Sequence, residues 1–231
     1  VNRTKIEWTD YTWNPVTGCL NNCPYCYARK IATRFKGTKA WPKGFEPTFH
    51  EDRLIEPLFL KKPSKIFVCS MGELFGRWLE DRWIISILWI PRQCPQHIFQ
   101  FLTKQPEELP RWNELWGSNT WVGVTATNGT EAQRAVIKLK QVAAPIRFIS
   151  FEPLLGSPNL PDNFNKAVDW VIIGAQTNPY HPPKREWVEE IIEAAGHAEI
   201  PVFLKDNLRG PKKRQEFPKR GGGRPMAKPT P

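Results

Sequence analysis

Short, nearly continuous apolar runs recur along the chain, and they constrain its fold more than any other feature. Ile66-Phe67-Val68-Cys69 and Trp170-Val171-Ile172-Ile173 are the clearest. Neither alternates apolar with polar residues, so both faces of each run call for burial, as in a parallel sheet covered by helices. The same pattern predicts strands at Thr12–Val16, Lys65–Ser70, Ile98–Thr103, Trp121–Thr125, Arg147–Phe151, Trp170–Gly174 and Val202–Lys205. Between them it predicts helices over Tyr25–Arg34, Glu80–Ile90, Pro106–Trp116, Thr130–Leu139 and Lys184–Ala195. The last carries Trp187, Val188, Ile191, Ile192 and Ala195 on one face, with charged residues on the other. This alternation points to an α/β fold with mostly parallel strands, curling into a partial (β/α) barrel.

The 231 residues suffice for one sizeable core. One α/β domain is expected over 1–205, followed by a basic, Pro/Gly-rich tail over 206–231. From Lys205 onward nine Lys/Arg face two acids, so +7 of the +10 net charge lies there and the first 204 residues carry +3. Such a tail can bind nucleic acid through phosphates, although its composition better suits a solvated, disordered end. No apolar run is long enough to span a bilayer. Val1–Asp10 lacks the apolar block of a signal peptide. A cytoplasmic protein without a membrane partner is the expectation.

Three of the five cysteines fall within eight residues, as Cys19-Leu-Asn-Asn-Cys23-Pro-Tyr-Cys26. Without a secretory signal, such a cluster suits metal binding better than disulfides. Gly18, Asn21 and Asn22 suit a loop wrapped around a bulky inorganic group. Structural zinc usually takes four ligands from two paired halves, and only one half is present. A [4Fe–4S] cluster usually takes four thiolates, so three leave one iron open to a cosubstrate. An iron–sulfur centre, a zinc site and a group of core thiols are the three readings, and the spacing favours the first.

The CxxxCxxC spacing, with aromatic Tyr25 before the last cysteine, resembles the signature of the radical S-adenosylmethionine superfamily. Further segments are similar to one branch of it, the phage Gp37/Gp68-like (DUF5131) family. They include Ile6–Cys19, Cys26–Ala28, Phe67–Met71, Leu102–Lys104, Trp121–Val124, Glu152–Gly156 and Asp169–Gly174. The resemblance implies a [4Fe–4S] cluster on Cys19, Cys23 and Cys26, with S-adenosyl-L-methionine on the open iron. Reductive cleavage would give a 5′-deoxyadenosyl radical that abstracts hydrogen from a substrate, with nucleic acid or a nucleotide as the leading guess. The electron would come from a donor such as a flavodoxin or ferredoxin. The superfamily's Gly-Gly-Glu-like segment, which holds the methionine amino group, reads Ser70-Met71-Gly72-Glu73 here. It departs from the pattern at one Gly position.

Strand ends converge at the C-terminal rim of such a barrel, which directs attention to the residues that follow the strands. Ser70, Gly72 and Glu73 are candidates for binding the cosubstrate, and Tyr25 is a candidate for lying against its adenine. Thr125 and Thr127 could meet ribose hydroxyls or simply cap the next helix. Glu152, Lys104 and Lys205 each follow an apolar strand and are the candidate catalytic residues. Gln176 stands where relatives often carry Glu, so a carboxylate role is not expected there. Trp8, Tyr11 and Trp13 could stack on an adenine or a base, but packing on the barrel bottom or core is the expectation, and Cys69 is expected to be a small core residue. The rival to a radical enzyme is an iron–sulfur or zinc nucleic-acid-binding protein without radical chemistry.

Overall fold

The computed structural model describes residues 1–210 and 213–219. Eight strands form one sheet in chain order. They are β1 (Asn2–Arg3), β2 (Tyr11–Trp13), β3 (Lys65–Val68), β4 (Ile98–Thr103), β5 (Thr120–Thr125), β6 (Ile146–Phe151), β7 (Trp170–Ile173) and β8 (Val202–Leu204). β1 lies antiparallel to β2, and every later neighbour is parallel. The C-terminal ends of β2 to β8 therefore share one rim.

The helices are α1 (Tyr27–Arg34), α2 (Asp81–Gln93), α3 (Gly129–Leu139), α4 (Phe164–Ala167) and α5 (Arg185–His197). Among the described residues no helix is long and apolar enough to cross a membrane. Strands β3 to β8 are buried on both faces, as their unbroken apolar runs require, whereas the edge strand β1 is exposed. On the helix side, Ile66, Val68, Phe101, Val122 and Ile149 pack with Ile84, Leu88, Val136 and Ile191. On the concave side, Phe67, Trp121, Phe148, Trp170 and Phe203 gather around Trp8. Each such side chain, once fully buried, contributes about 1.5–3 kcal/mol of transfer free energy. Trp8 meets Trp170 edge-on, with ring centres 6.3 Å apart. The N-terminal segment thus plugs the inside of the partial barrel.

Three elements differ from expectation for local reasons. The strand expected over Thr12–Val16 stops at Trp13. Asn14 turns its Oδ1 to accept from Met71 N at 3.0 Å, and Pro15 has no N–H for the ladder. Val16–Thr17 then pairs antiparallel with Thr48–Phe49 instead. The expected helix over Pro106–Trp116 is a 3-10 run, Pro106–Leu115, with Pro110 inside it. The expected helix from Tyr25 starts at Tyr27, because Cys26 is its N-cap and its Sγ accepts from Arg29 N. Part of the stretch expected as tail lies on the sheet. Gln215 bridges antiparallel to Phe203, and the Trp170 indole donates to Glu216 O at 2.8 Å. The Gly-rich end lies outside the described residues.

Candidate functional site

A cavity of about 640 Å³ opens at the shared rim. It is lined by residues at or just past the strand ends: Asn14, Ser70, Lys104, Thr125, Glu152 and Lys205. Cys19, Cys23 and Cys26 line the same cavity, as partly buried free thiols. One loop and the strand ends thus converge although they are far apart in sequence.

The cysteine loop is seated by backbone contacts that glycine alone permits. Gly18 has a φ of +87°, and a Cβ there would stand 2.3 Å from Glu46 O. Gly18 bridges in parallel to Gly72, and a Cβ on Gly72 would press on Gly18 O at 3.0 Å. Gly18 N donates to Met71 O at 3.0 Å, and Glu73 N donates to Gly18 O at 3.2 Å. Asn21 N donates to Cys19 Sγ at 3.3 Å. Burial pushes the Cys19 thiol up to about 12, so a metal would have to draw its proton off.

Glu73 is fully buried, and burial pushes its carboxyl up. Four donors offset that cost: Thr103 Oγ1 at 2.6 Å, Lys104 N at 2.9 Å, Phe75 N at 3.1 Å and Asn21 Nδ2 at 3.2 Å. These occupy the lone pairs of a carboxylate. Glu73 was expected to accept from a ligand ammonium. It does line the cavity, with its oxygens engaged in holding β3, β4 and the cysteine loop together. Thr127 takes the second of its two expected roles, at the start of the next helix. Its hydroxyl and its N–H both bond Glu131, at 2.9 and 2.7 Å, in the first turn of α3, and it does not line the cavity. Thr125, two residues earlier, does line it.

Glu152 and Lys205 are brought together as an ion pair on the cavity wall. Glu7 lies close by. Burial pushes its carboxyl up, the Lys205 charge partly offsets this, and the carboxylate accepts from Asp206 N. Lys104 donates to the Tyr25 hydroxyl at 3.1 Å and lies over its ring. Ser70 Oγ bonds Asn14 Oδ1 at 3.2 Å, and Ser70 O accepts from the Tyr27 hydroxyl at 2.6 Å. Cys69 is a buried thiol, as expected, but it sits just past β3 with φ +55° and borders the cavity. Burial pushes it up to about 12.

Sequence reasoning missed Tyr27 and Ser150, and it placed Asn21 in the loop without its bond to Glu73. Among the described residues the Trp8 Nε1 and Ser150 Oγ are buried without hydrogen-bond partners, and both residues line the cavity. Inward alternation on β6, through Phe148, Ser150 and Glu152, could have flagged Ser150.

A chain-order parallel sheet wrapped around a rim cavity, with a cysteine loop after its first parallel strand, makes this an α/β protein with a partial (β/α)-barrel fold. The fold is similar to that of spore photoproduct lyase complexed with dinucleoside spore photoproduct. The TM-score is 0.52 at 10% identity, covering 84% of this chain and 63% of that one. A cysteine-to-serine mutant of the lyase gives a TM-score of 0.54 at 10% identity, covering 88% of this chain and 79% of that one. The chain thus spans under two thirds of the length of the first of these structures. The chain belongs to the DUF5131 family, described as a protein of unknown function, which it matches over residues 3–227. No curated protein matches it.

Proposed function

We propose that this chain is a radical S-adenosylmethionine enzyme whose cluster is held by Cys19, Cys23 and Cys26. The observation that carries the reading is the convergence of three free thiols from one loop on the cavity formed by the strand ends. The donor set fits the group, since thiolates are the usual ligands of iron–sulfur clusters and three leave one iron open. Among the described residues no three of His, Cys, Asp and Glu are drawn to the spacing of single-ion ligands.

When bound, the cluster and S-adenosyl-L-methionine would supply a 5′-deoxyadenosyl radical that takes hydrogen from a substrate. The chain's own residues orient and shield that chemistry. Tyr25, held between two of the ligands and bonded by Lys104, offers a flat face for adenine. Ser70, Gly72 and Thr125 line the wall and give polar or close backbone contact to the cosubstrate. The Glu152–Lys205 pair and Lys104 place charge where a substrate would enter. Trp8 and Phe67 border the cavity with aromatic surface that excludes water. A one-electron donor such as a flavodoxin or ferredoxin completes the system.

The test is anaerobic reconstitution, iron and sulfide analysis, then reduction with S-adenosyl-L-methionine and assay for 5′-deoxyadenosine. The expected result is a brown protein with four irons that forms the product. Cys23→Ala should abolish formation, and Cys69→Ser should retain it. A colourless protein with one zinc, or product surviving Cys23→Ala, overturns the reading. So does loss of iron on changing Cys69, which would mean the cluster is closed by a fourth thiolate.

A further inference from the structure

The near-balance of the body's charge conceals a strong local excess. From Tyr11 to Phe45 the chain contains no Asp or Glu, yet it carries Arg29, Lys30, Arg34, Lys36, Lys39 and Lys43. These six positive charges exceed the +3 of the first 204 residues, so the rest of that body is net negative by three. All six lie on α1 or the loop after it, and five are exposed, with Arg29 half-buried. Among the described residues none of the six forms an ion pair, whereas Arg77, Arg111, Arg134 and Arg147 elsewhere all do. Unpaired cations crowded on one surface repel one another, and a polyanion would relieve that cost.

This surface adjoins the cavity, because Tyr27, Ala28 and Phe45 line it. It also exposes aromatic faces among the cations. Tyr27 is 48% and Phe35 is 46% exposed, and the Arg34 guanidinium lies over the Phe35 ring. The other bank of the cavity repeats the pattern. Gln176 and Thr177 line the cavity, and the hairpin they begin carries the exposed Tyr180 with Arg209 4.0 Å from its ring centre. Basic residues interleaved with exposed aromatics are what binds a single-stranded nucleic acid, with phosphates on the cations and bases on the rings. A duplex cannot pass a stacked base into a cavity within the barrel rim, whereas an unstacked base can enter. Inside, Trp8 and Phe67 line the cavity with aromatic surface on which a base would pack.

We propose that α1 and the loop after it bind a single-stranded nucleic acid and present one of its bases to the rim cavity. The identity of the base's chamber rests on the radical-enzyme reading, but strand binding does not require the cluster. The test therefore measures affinity for fluorescein-labelled 20-nucleotide oligothymidylate and oligouridylate by anisotropy across a salt series. It uses the full chain, both reconstituted and as the iron-free Cys23→Ala variant. Combined Lys30→Glu, Arg34→Glu and Lys36→Glu should weaken binding by about ten-fold or more and flatten the log–log salt slope by about 2. Lys39→Glu with Lys43→Glu should act in the same direction, which guards against a folding defect in the first variant. Lys140→Glu with Lys166→Glu, in or beside helices that lead back to the opposite end of the sheet, should change little. Binding that survives both α1-surface variants overturns the proposal. So does binding that is lost only on reversing Arg220, Arg224 and Lys228, which assigns it to the tail. Slower reduction by flavodoxin with oligonucleotide affinity unchanged assigns the surface to the electron donor and also overturns it. Oligonucleotide binding without 5′-deoxyadenosine formation would sink the radical reading and leave this surface standing.

Discussion

The buried Glu73 carboxylate accepts the side-chain amide of Asn21 at 3.2 Å, which ties the middle of the cysteine loop to the ends of β3 and β4. Glu73→Gln puts an N–H₂ group where two donors now point. It should lower stability by about 1–3 kcal/mol through unpaired buried groups. Reconstituted iron per chain should fall with it, since Asn21 lies between two ligands. Urea unfolding and iron analysis check this. Full iron content with unchanged stability would show that the tie is dispensable.

Gly18 precedes the first ligand, and its φ of +87° leaves no room for a side chain against Glu46 O. Gly18→Ala therefore strains the backbone and displaces the Gly18–Gly72 bridge. The expected outcome is a protein with near-native circular dichroism that takes up less than half the normal iron. Gly37→Ala, where φ is also +87° but nothing lies near the added Cβ, separates crowding from conformation alone. It should retain iron.

Lys205 neutralises Glu152 on the cavity wall and lies close to Glu7. Lys205→Met should leave two partly buried carboxylates without their cation and destabilise by about 1–3 kcal/mol. Adding Glu152→Gln should recover much of that loss. A double-variant cycle in urea reads the coupling. Strictly additive losses would mean that the pair contributes nothing to the fold.

The His97 ring is fully buried, with Nε2 bonded to Leu60 O at 2.8 Å and Nδ1 without a partner among the described residues. Burial lowers its pKa below the usual 6.5, partly offset by its backbone bonds. The unfolded chain then binds more protons than the folded one as pH falls through about 6.5. The contribution to stability is complete above that value and is lost on acidification toward the lower folded pKa. Melting temperature should therefore drop between pH 7.5 and 5.5. His97→Gln should be less stable at pH 7.5 and show a shallower drop. Parallel drops in both proteins would assign the pH dependence to other groups.

Most of the architecture was legible in the chain because its signals are local. Every sheet strand from β2 to β8 falls within a few residues of an apolar run in the sequence, since strands buried on both faces need no partner to declare themselves. The cysteine spacing was equally plain, as were the strand-end positions of Lys104, Thr125, Glu152 and Lys205. The short hairpins and the break at Asn14 were not, because their bonds go to distant residues such as Thr48 and Met71.

The sequence by itself determined which residues would reach the rim, because a parallel sheet carries its strand ends to one side. Only the tertiary structure decided what those residues could still do there. Glu73 and Thr127 reach the neighbourhood of the site with their acceptors and donors already engaged by Asn21, Thr103 and Glu131. Trp8 and Ser150 reach it with polar atoms unclaimed. A hydrogen-bonding group has few lone pairs and protons; Thr127 meets Glu131 only four positions on, but the neighbours that claim Glu73 come through contacts between residues 30 and 52 positions apart. No local pattern in the chain encodes those contacts.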